Sequence, residues 1–226
     1  MFSFSKKKDT AKTTLARQLI TVREPKSIVS EQFKTIRTNI NFSMPDEDLR
    51  TIVITSTTPG EGKSTSSSNI AVVFAQSGKK VLLVDGDMRK PTVHHTFKLK
   101  NVRGLSNLLT RQFDVEEVVQ KTDVDGLSVI TSGPIPPNPA ELIASQTMDR
   151  LIESLLEQYD FIIFDAPPVL SVTDAQILAN KCDGTILVVQ TAKTEKDSIL
   201  KAKEVLVASK ANMIGVILNR YVLEKD

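Results

Sequence analysis

Short, unbroken apolar runs set the rhythm of this chain from Thr51 onward. Thr51–Ser56, Val81–Asp85 and Phe161–Asp165 are the strongest, with Leu127–Ile130 weaker and residues 185–190 and Met213–Asn219 closing the sequence. Between them, residues 64–76 place Ile70, Val73 and Phe74 at helical spacing, and residues 195–209 predict a further helix. Residues 139–159 read as one helix, with Leu142, Ile143, Leu151, Ile152, Leu155 and Leu156 on a single apolar stripe. Continuous rather than alternating apolar or β-branched runs, separated by helices, predict a parallel sheet covered on both faces. The expected fold is α/β, three-layered and doubly wound, with a mostly parallel sheet and no internal repeat.

Composition narrows the picture. The 226 residues carry 29 Lys and Arg against 27 Asp and Glu, a net charge of +2, with 40% hydrophobic and 25% charged residues. These values suit a globular chain long enough to bury a core. One cysteine, Cys182, leaves no internal disulfide framework and fits a reducing compartment. No apolar run approaches the ~20 residues that span a bilayer, and the basic start lacks the apolar stretch of a secretory signal. Lys6, Lys7, Lys8, Lys12 and Arg17 form a basic arm, expected over residues 1–22 and flexible, ahead of a single domain over 23–226. The arm reads as a solvated terminus or as a contact with an anionic membrane surface, too weak to bind one alone. Basic residues are not interleaved with aromatics, so nucleic-acid binding has no support. His94 and His95 lack companions at zinc-ligand spacing and read as a surface loop.

The most informative stretch is Thr57-Thr58-Pro59-Gly60-Glu61-Gly62-Lys63-Ser64-Thr65, between a predicted strand and a predicted helix. Glycines there let successive N–H groups turn toward phosphate oxygens, and the helix N-terminus adds partial positive charge. Lys63 supplies a point charge to the outer phosphates and Ser64 a hydroxyl to Mg²⁺. The first glycine of the usual phosphate-loop pattern is Thr57 here. Asp85 and Asp165 each end an apolar strand, and Asp87 follows Asp85 by two residues. Ligands of open α/β sheets bind at the carboxyl ends of strands, so three carboxylates there offer Mg²⁺ its hard oxygens and phosphoryl transfer its proton acceptor.

These residues resemble a known family. Pro-Gly-Glu-Gly-Lys-Ser-Thr (59–65), Val-Leu-Leu-Val-Asp-Gly-Asp-Met-Arg-Lys-Pro (81–91) and Phe-Ile-Ile-Phe-Asp-Ala-Pro-Pro (161–168) are similar to the Walker A, A′ and B elements of the bacterial tyrosine kinases. The proline-rich segment 133–142 matches as well, and the resemblance spans about residues 24–219. Members are cytoplasmic kinase subunits of capsular and exopolysaccharide assembly systems, with the fold of P-loop NTPases. The resemblance implies an ATP- and Mg²⁺-dependent protein-tyrosine kinase whose loop residues Thr58, Pro59, Gly60, Glu61, Gly62, Lys63, Ser64 and Thr65 bind nucleotide. It implies Asp85 as the carboxylate that activates the tyrosine hydroxyl, Asp87 and Asp165 on Mg²⁺ with Ser64, and Asn219 beside the adenine. Arg89 and Lys90 are candidates for stabilising transferred charge, or a surface pair. A membrane-embedded modulator would recruit the chain to the inner face of the membrane, and tyrosine-containing proteins would be its substrates.

Two departures from the family pattern stand out. Its Glu-x-x-Arg-x-x-Arg motif, tied to ring-shaped self-assembly, is Glu31, Lys34 and Arg37 here; lysine cannot make the bidentate fork of arginine. The usual C-terminal tyrosine cluster is reduced to Tyr221, a possible phosphoacceptor; Tyr159, the other tyrosine, precedes a buried strand and reads as a packing residue. Either the tail is shortened or this member acts mainly on other proteins. Eukaryotic-type kinase motifs are absent. The alternative is a non-kinase ATPase switch of the partition and septum-positioning type, whose signature lysine early in the loop is Thr58 here, with Pro59 for the next glycine. A scaffold with an inert phosphate loop is disfavoured by the intact Lys63, Ser64, Asp85, Asp87 and Asp165.

Overall fold

A computed structural model of the chain describes residues 19–44 and 48–220. Tyr221 and the cations of the basic arm lie outside the described residues. In chain order the elements are α1 (Ile20–Arg23), α2 (Ile28–Phe42), β1 (Thr51–Ser56), α3 (Lys63–Ala75), β2 (Val81–Asp85), α4 (Val93–Phe97), α5 (Leu105–Leu109), α6 (Val115–Val118), β3 (Gln120–Lys121), β4 (Leu127–Ile130), α7 (Pro139–Ala144), α8 (Gln146–Leu156), β5 (Phe161–Asp165), α9 (Asp174–Lys181), β6 (Gly184–Gln190), α10 (Lys196–Ala208) and β7 (Met213–Asn219).

The seven strands run in the order β3-β4-β2-β5-β1-β6-β7. All pairings are parallel except β3 with β4. This is the expected three-layer, doubly wound α/β sheet. Every residue of β1, β2 and β5 is buried, which is why apolar residues run consecutively through them rather than alternating with exposed polar ones. Successive side chains point to opposite faces. Ile52 and Ile54 join α3 in one core, with Ile70, Val72 and Phe74, whereas Val53 joins Leu151, Leu155, Leu178 and Leu206 in the other. Tyr159 packs against that second core, as expected of a structural residue.

α3 is sandwiched between the sheet and α2, and residues 66–75 are all buried. Ser67 and Ser68 are buried, so their hydroxyls stay within the helix and its surroundings: Ser67 Oγ lies 2.8 Å from the Lys63 carbonyl, and Ser68 Oγ donates to that of Ser64 at 2.7 Å. Asn69 Oδ1 accepts from Thr21 N and Oγ1 at 3.1 and 2.8 Å, which docks α1 on α3. Residues 19–22, which the sequence placed in the basic arm, therefore belong to the packed structure, with Thr21 only 1% exposed.

Three further local expectations change. Residues 139–159 form two helices, not one: Ser145 sits in extended conformation and its hydroxyl accepts from Met148 N, capping α8 as it ends α7. His94 and His95 lie on α4 rather than in a loop, their rings 3.9 Å apart. No cluster of three His, Cys, Asp or Glu at metal-binding geometry occurs among the described residues. The strand pair β3–β4 adds a short antiparallel edge that the sequence did not signal.

Candidate active site

The phosphate loop rises from the carboxyl end of β1 and descends into α3. Gly62, at φ +97°, occupies the position before the helix, and a Cβ there would lie 2.0 Å from Asn219 Nδ2. Only glycine fits both the left-handed backbone and that close approach. Asn219 ends β7 and donates from Nδ2 to the Glu61 carbonyl at 2.8 Å. β1 is flanked by β5 and β6, where the chain changes direction across the sheet, so the loop stands at the switch point where such sheets bind ligands.

Register then delivers the carboxylates. Asp85 and Asp165 are opposite one another in the β2–β5 pair, both fully buried. Lys63 Nζ lies between Asp87 at 3.0 Å and Asp165 at 3.3 Å, with its side chain 11% exposed. Burial works to deprotonate Lys63, but Asp165, Asp87 and Asp85 outweigh it and hold the ammonium above its ordinary pKa. Burial, with the charge of Asp165, pushes the Asp85 carboxyl up to about 7 against the pull of Lys63 and the Val93 N–H. Asp165 is raised in the same direction, chiefly by burial, while Ser67 Oγ donates to it at 3.0 Å.

Asp85 is also braced by backbone: Oδ2 accepts from Thr92 N at 3.1 Å and Val93 N at 3.0 Å, and Oδ1 from Asp87 N at 3.3 Å. Asp87 Oδ1 accepts from Lys90 N at 3.0 Å. Arg89 makes a two-pronged pair with the buried Asp174 at the start of α9, at 2.9 and 3.0 Å, and that contact raises its pKa.

A cavity of about 570 Å³ opens over this group. Its walls include Pro59, Gly60, Gly62, Lys63, Ser64, Thr65, Asp87, Arg89, Lys90 and Asn219 from the sequence-predicted set. Pro167 and Pro168, which close the 161–168 motif, also line it, as do Thr92, Thr96, Ser171, Val172 and Arg220, which the sequence did not single out. Asp85 and Asp165 sit behind the wall. Thr58 and Glu61 do not line it either: the Glu61 carboxylate turns into the protein and accepts from Thr57 and Thr58. Ser67 and Asp174 are also new; Ser67, one turn beyond Ser64 on α3, had a detectable signal in its spacing.

Glu31, Lys34 and Arg37 lie on α2, outside the cavity wall, and differ in their contacts. Lys34 Nζ pairs with Glu31 Oε1 at 2.7 Å on the surface, whereas Arg37 donates to the Val73 carbonyl of α3 at 3.0 Å.

Comparison with known proteins agrees with this geometry. Residues 49–207 match the family described as AAA domain. The tyrosine-protein kinase YwqD of Bacillus subtilis (strain 168) is 51% identical over 211 residues, 93% of this chain and 89% of that protein. The putative tyrosine-protein kinase CapB of Staphylococcus aureus is 43% identical over 90% of this chain and 89% of its own. The crystal structure of the chimerical protein CapA2B2 superposes with a TM-score of 0.88 at 47% identity, covering 91% of this chain and 90% of that one. With the phosphate loop, the paired aspartates and the sheet order all in place, the chain belongs to the bacterial tyrosine-protein kinase family of P-loop proteins.

Proposed function

We propose that the chain is an ATP- and Mg²⁺-dependent protein-tyrosine kinase that regulates capsular or exopolysaccharide biosynthesis. The observation that carries this reading is the convergence of Lys63, Asp87 and Asp165 under a nucleotide-sized cavity. Ser64 Oγ, Asp87 and Asp165 offer hard oxygens suited to Mg²⁺, which characteristically takes one or two carboxylates together with phosphate oxygens and water. When bound, the ion would neutralise charge on the transferred phosphoryl group.

The chain's own groups supply the remainder. The backbone of residues 59–65 cradles the phosphates, and Lys63 provides a fixed positive charge whose protonation the three aspartates secure. Asn219, pinned on the loop, stands where the adenine would lie. The family resemblance implies Asp85, which lies just behind the cavity wall, as the carboxylate that activates the acceptor hydroxyl, while Asp87, facing the cavity, holds the metal side. Arg89, fixed by Asp174, presents a guanidinium on the cavity wall to developing negative charge.

The test is phosphotyrosine formation on a tyrosine-containing acceptor with ATP and Mg²⁺, with free phosphate counted in parallel. Lys63→Met should lower transfer about a thousandfold. An unchanged rate in that variant would overturn the site; phosphate release without phosphotyrosine, with the modulator's cytoplasmic segment present, would favour the ATPase switch instead.

Partners and assembly extend the same reading. No helix among the described residues is long and apolar enough to cross a membrane, so membrane recruitment would come through a membrane-embedded modulator, leaving the kinase on the cytoplasmic side. Self-association into a ring would use the α2 face. Glu31 and Lys34 are the residues to substitute, because Arg37 is committed to an internal contact and its loss would disturb the α2–α3 packing as well.

A further inference from the structure

A carboxylate inside a loop built to receive phosphates opposes the charge of its own ligand. Glu61 resolves this by turning inward, where it is 1% exposed. Its Oε2 accepts from Thr57 N at 2.8 Å and Thr58 N at 3.1 Å, so the descending limb of the loop ties down the ascending limb. Its Oε1 accepts from Thr57 Oγ1 at 2.6 Å, Thr58 Oγ1 at 3.1 Å and Thr194 Oγ1 at 2.5 Å. Thr194 is the donor from outside the loop. Its hydroxyl also accepts from Gln190 N at 2.9 Å, which fixes it to the end of β6. Thr191 N in turn donates to the Asn219 carbonyl at 3.0 Å, and Asn219 grips the Glu61 carbonyl. The phosphate loop and the ends of β6 and β7 are thus one hydrogen-bonded set with the Glu61 side chain at its centre. Burial works to raise the Glu61 pKa, but the donors from Thr194, Thr57 and Thr58 outweigh it and lower it.

We propose that Glu61 is the positioning residue of the phosphate loop and acts through Thr194, so that nucleotide affinity depends on the β6–α10 connection, which is not part of the cavity wall. The inference rests on the nucleotide-binding part of the reading above and not on tyrosine as the acceptor.

The test titrates the full chain with Mg²⁺ and ADP by calorimetry. Thr194→Val keeps the branched shape and deletes the hydroxyl; it should raise the ADP Kd about tenfold, the scale of one hydrogen bond to a buried charge. Thr194→Ser restores the donor and should stay within about twofold of the parent. The double variant Glu61→Gln with Thr194→Val should bind no more weakly than Glu61→Gln alone, because the two act as a unit. In turnover, Thr194→Val should raise the ATP KM and leave kcat nearly unchanged, a split that general destabilisation would not give. An ADP Kd for Thr194→Val equal to the parent's, or effects of the two substitutions that multiply, would overturn the proposal. Should Thr194→Val fold poorly, Thr194→Ala is judged by the same titration. Absence of phosphotyrosine would sink the kinase reading while leaving the ADP result to decide this one.

Discussion

Glu61 and Asp85 stand at the same end of the same sheet and are equally buried, yet their environments drive them in opposite directions. Glu61 is met by five donors, and its carboxyl is held below its ordinary pKa of 4.5. Asp85 has three backbone donors but shares its pocket with Asp165 and Asp87, and its carboxyl rises from 3.8 to about 7. Burial alone therefore does not set the charge state; the balance of donors and like charges does. The carboxylate hydrogen-bonded into the loop is kept ionised, whereas the one proposed as proton acceptor is raised to about 7.

The largest way to disturb this balance is to remove the cation shared by the three aspartates. Lys63→Met should cost about 3 kcal/mol of stability at pH 8, because carboxylates are left buried against one another. The loss should shrink toward pH 4.5, as those carboxyls take up protons and the repulsion disappears. Urea unfolding at both pH values in the presence of a chelator reads it. An equal loss at both would mean that Lys63 is not what neutralises the cluster.

The comparison itself predicts a pair of opposite signs. Asp85 has a raised carboxyl, so the stability associated with its proton is present below about 3.8 and lost as pH rises toward 7. Asp85→Asn should therefore stabilise the metal-free chain on the order of 2 kcal/mol at pH 8, after discounting weaker backbone contacts, and little at pH 4. Transfer should fall by a factor of about 100 or more in the same variant. Glu61 has a lowered carboxyl, so its contribution is present above 4.5 and lost as pH falls through the folded-state value. Glu61→Gln should cost about 1–2 kcal/mol at pH 8, with the gap closing in acid. Two losses, or two gains, would break the contrast between the carboxylates.

How much of this was readable beforehand follows the physics of each feature. β1, β2 and β5 announced themselves because burial on both faces favours consecutive apolar or β-branched residues, and Asp85 and Asp165 stood out as the first charged residues after such runs. The phosphate loop was readable because glycine, Lys63 and Ser64 are tied to local backbone geometry. The break at Ser145 was not, since the apolar stripe continues through it and only its capping hydroxyl reveals two helices. The Arg89–Asp174 pair joins residues 85 positions apart, and no local pattern encodes such a meeting. Glu61 was assigned to the nucleotide from its place in the motif; the direction of its side chain depends on Thr194, brought in from the far end of β6.

The smallest expected effect comes from a third carboxylate at the opposite end of the sheet. Asp183 Oδ2 accepts from Thr51 N at 2.8 Å, Thr51 Oγ1 at 2.9 Å and Arg50 N at 3.0 Å, so that it too is held by several donors, though fewer than Glu61. Asp183 is exposed, so water can replace a lost partner, which it cannot do at Glu61. Asp183→Asn should cost only about 0.5–1 kcal/mol in urea unfolding and leave the ADP Kd unchanged. If it costs as much as Glu61→Gln, exclusion of water adds nothing at Glu61. If it also weakens ADP binding, the phosphate loop is coupled to the whole length of β1, and the short connection through Thr194 is not the decisive one.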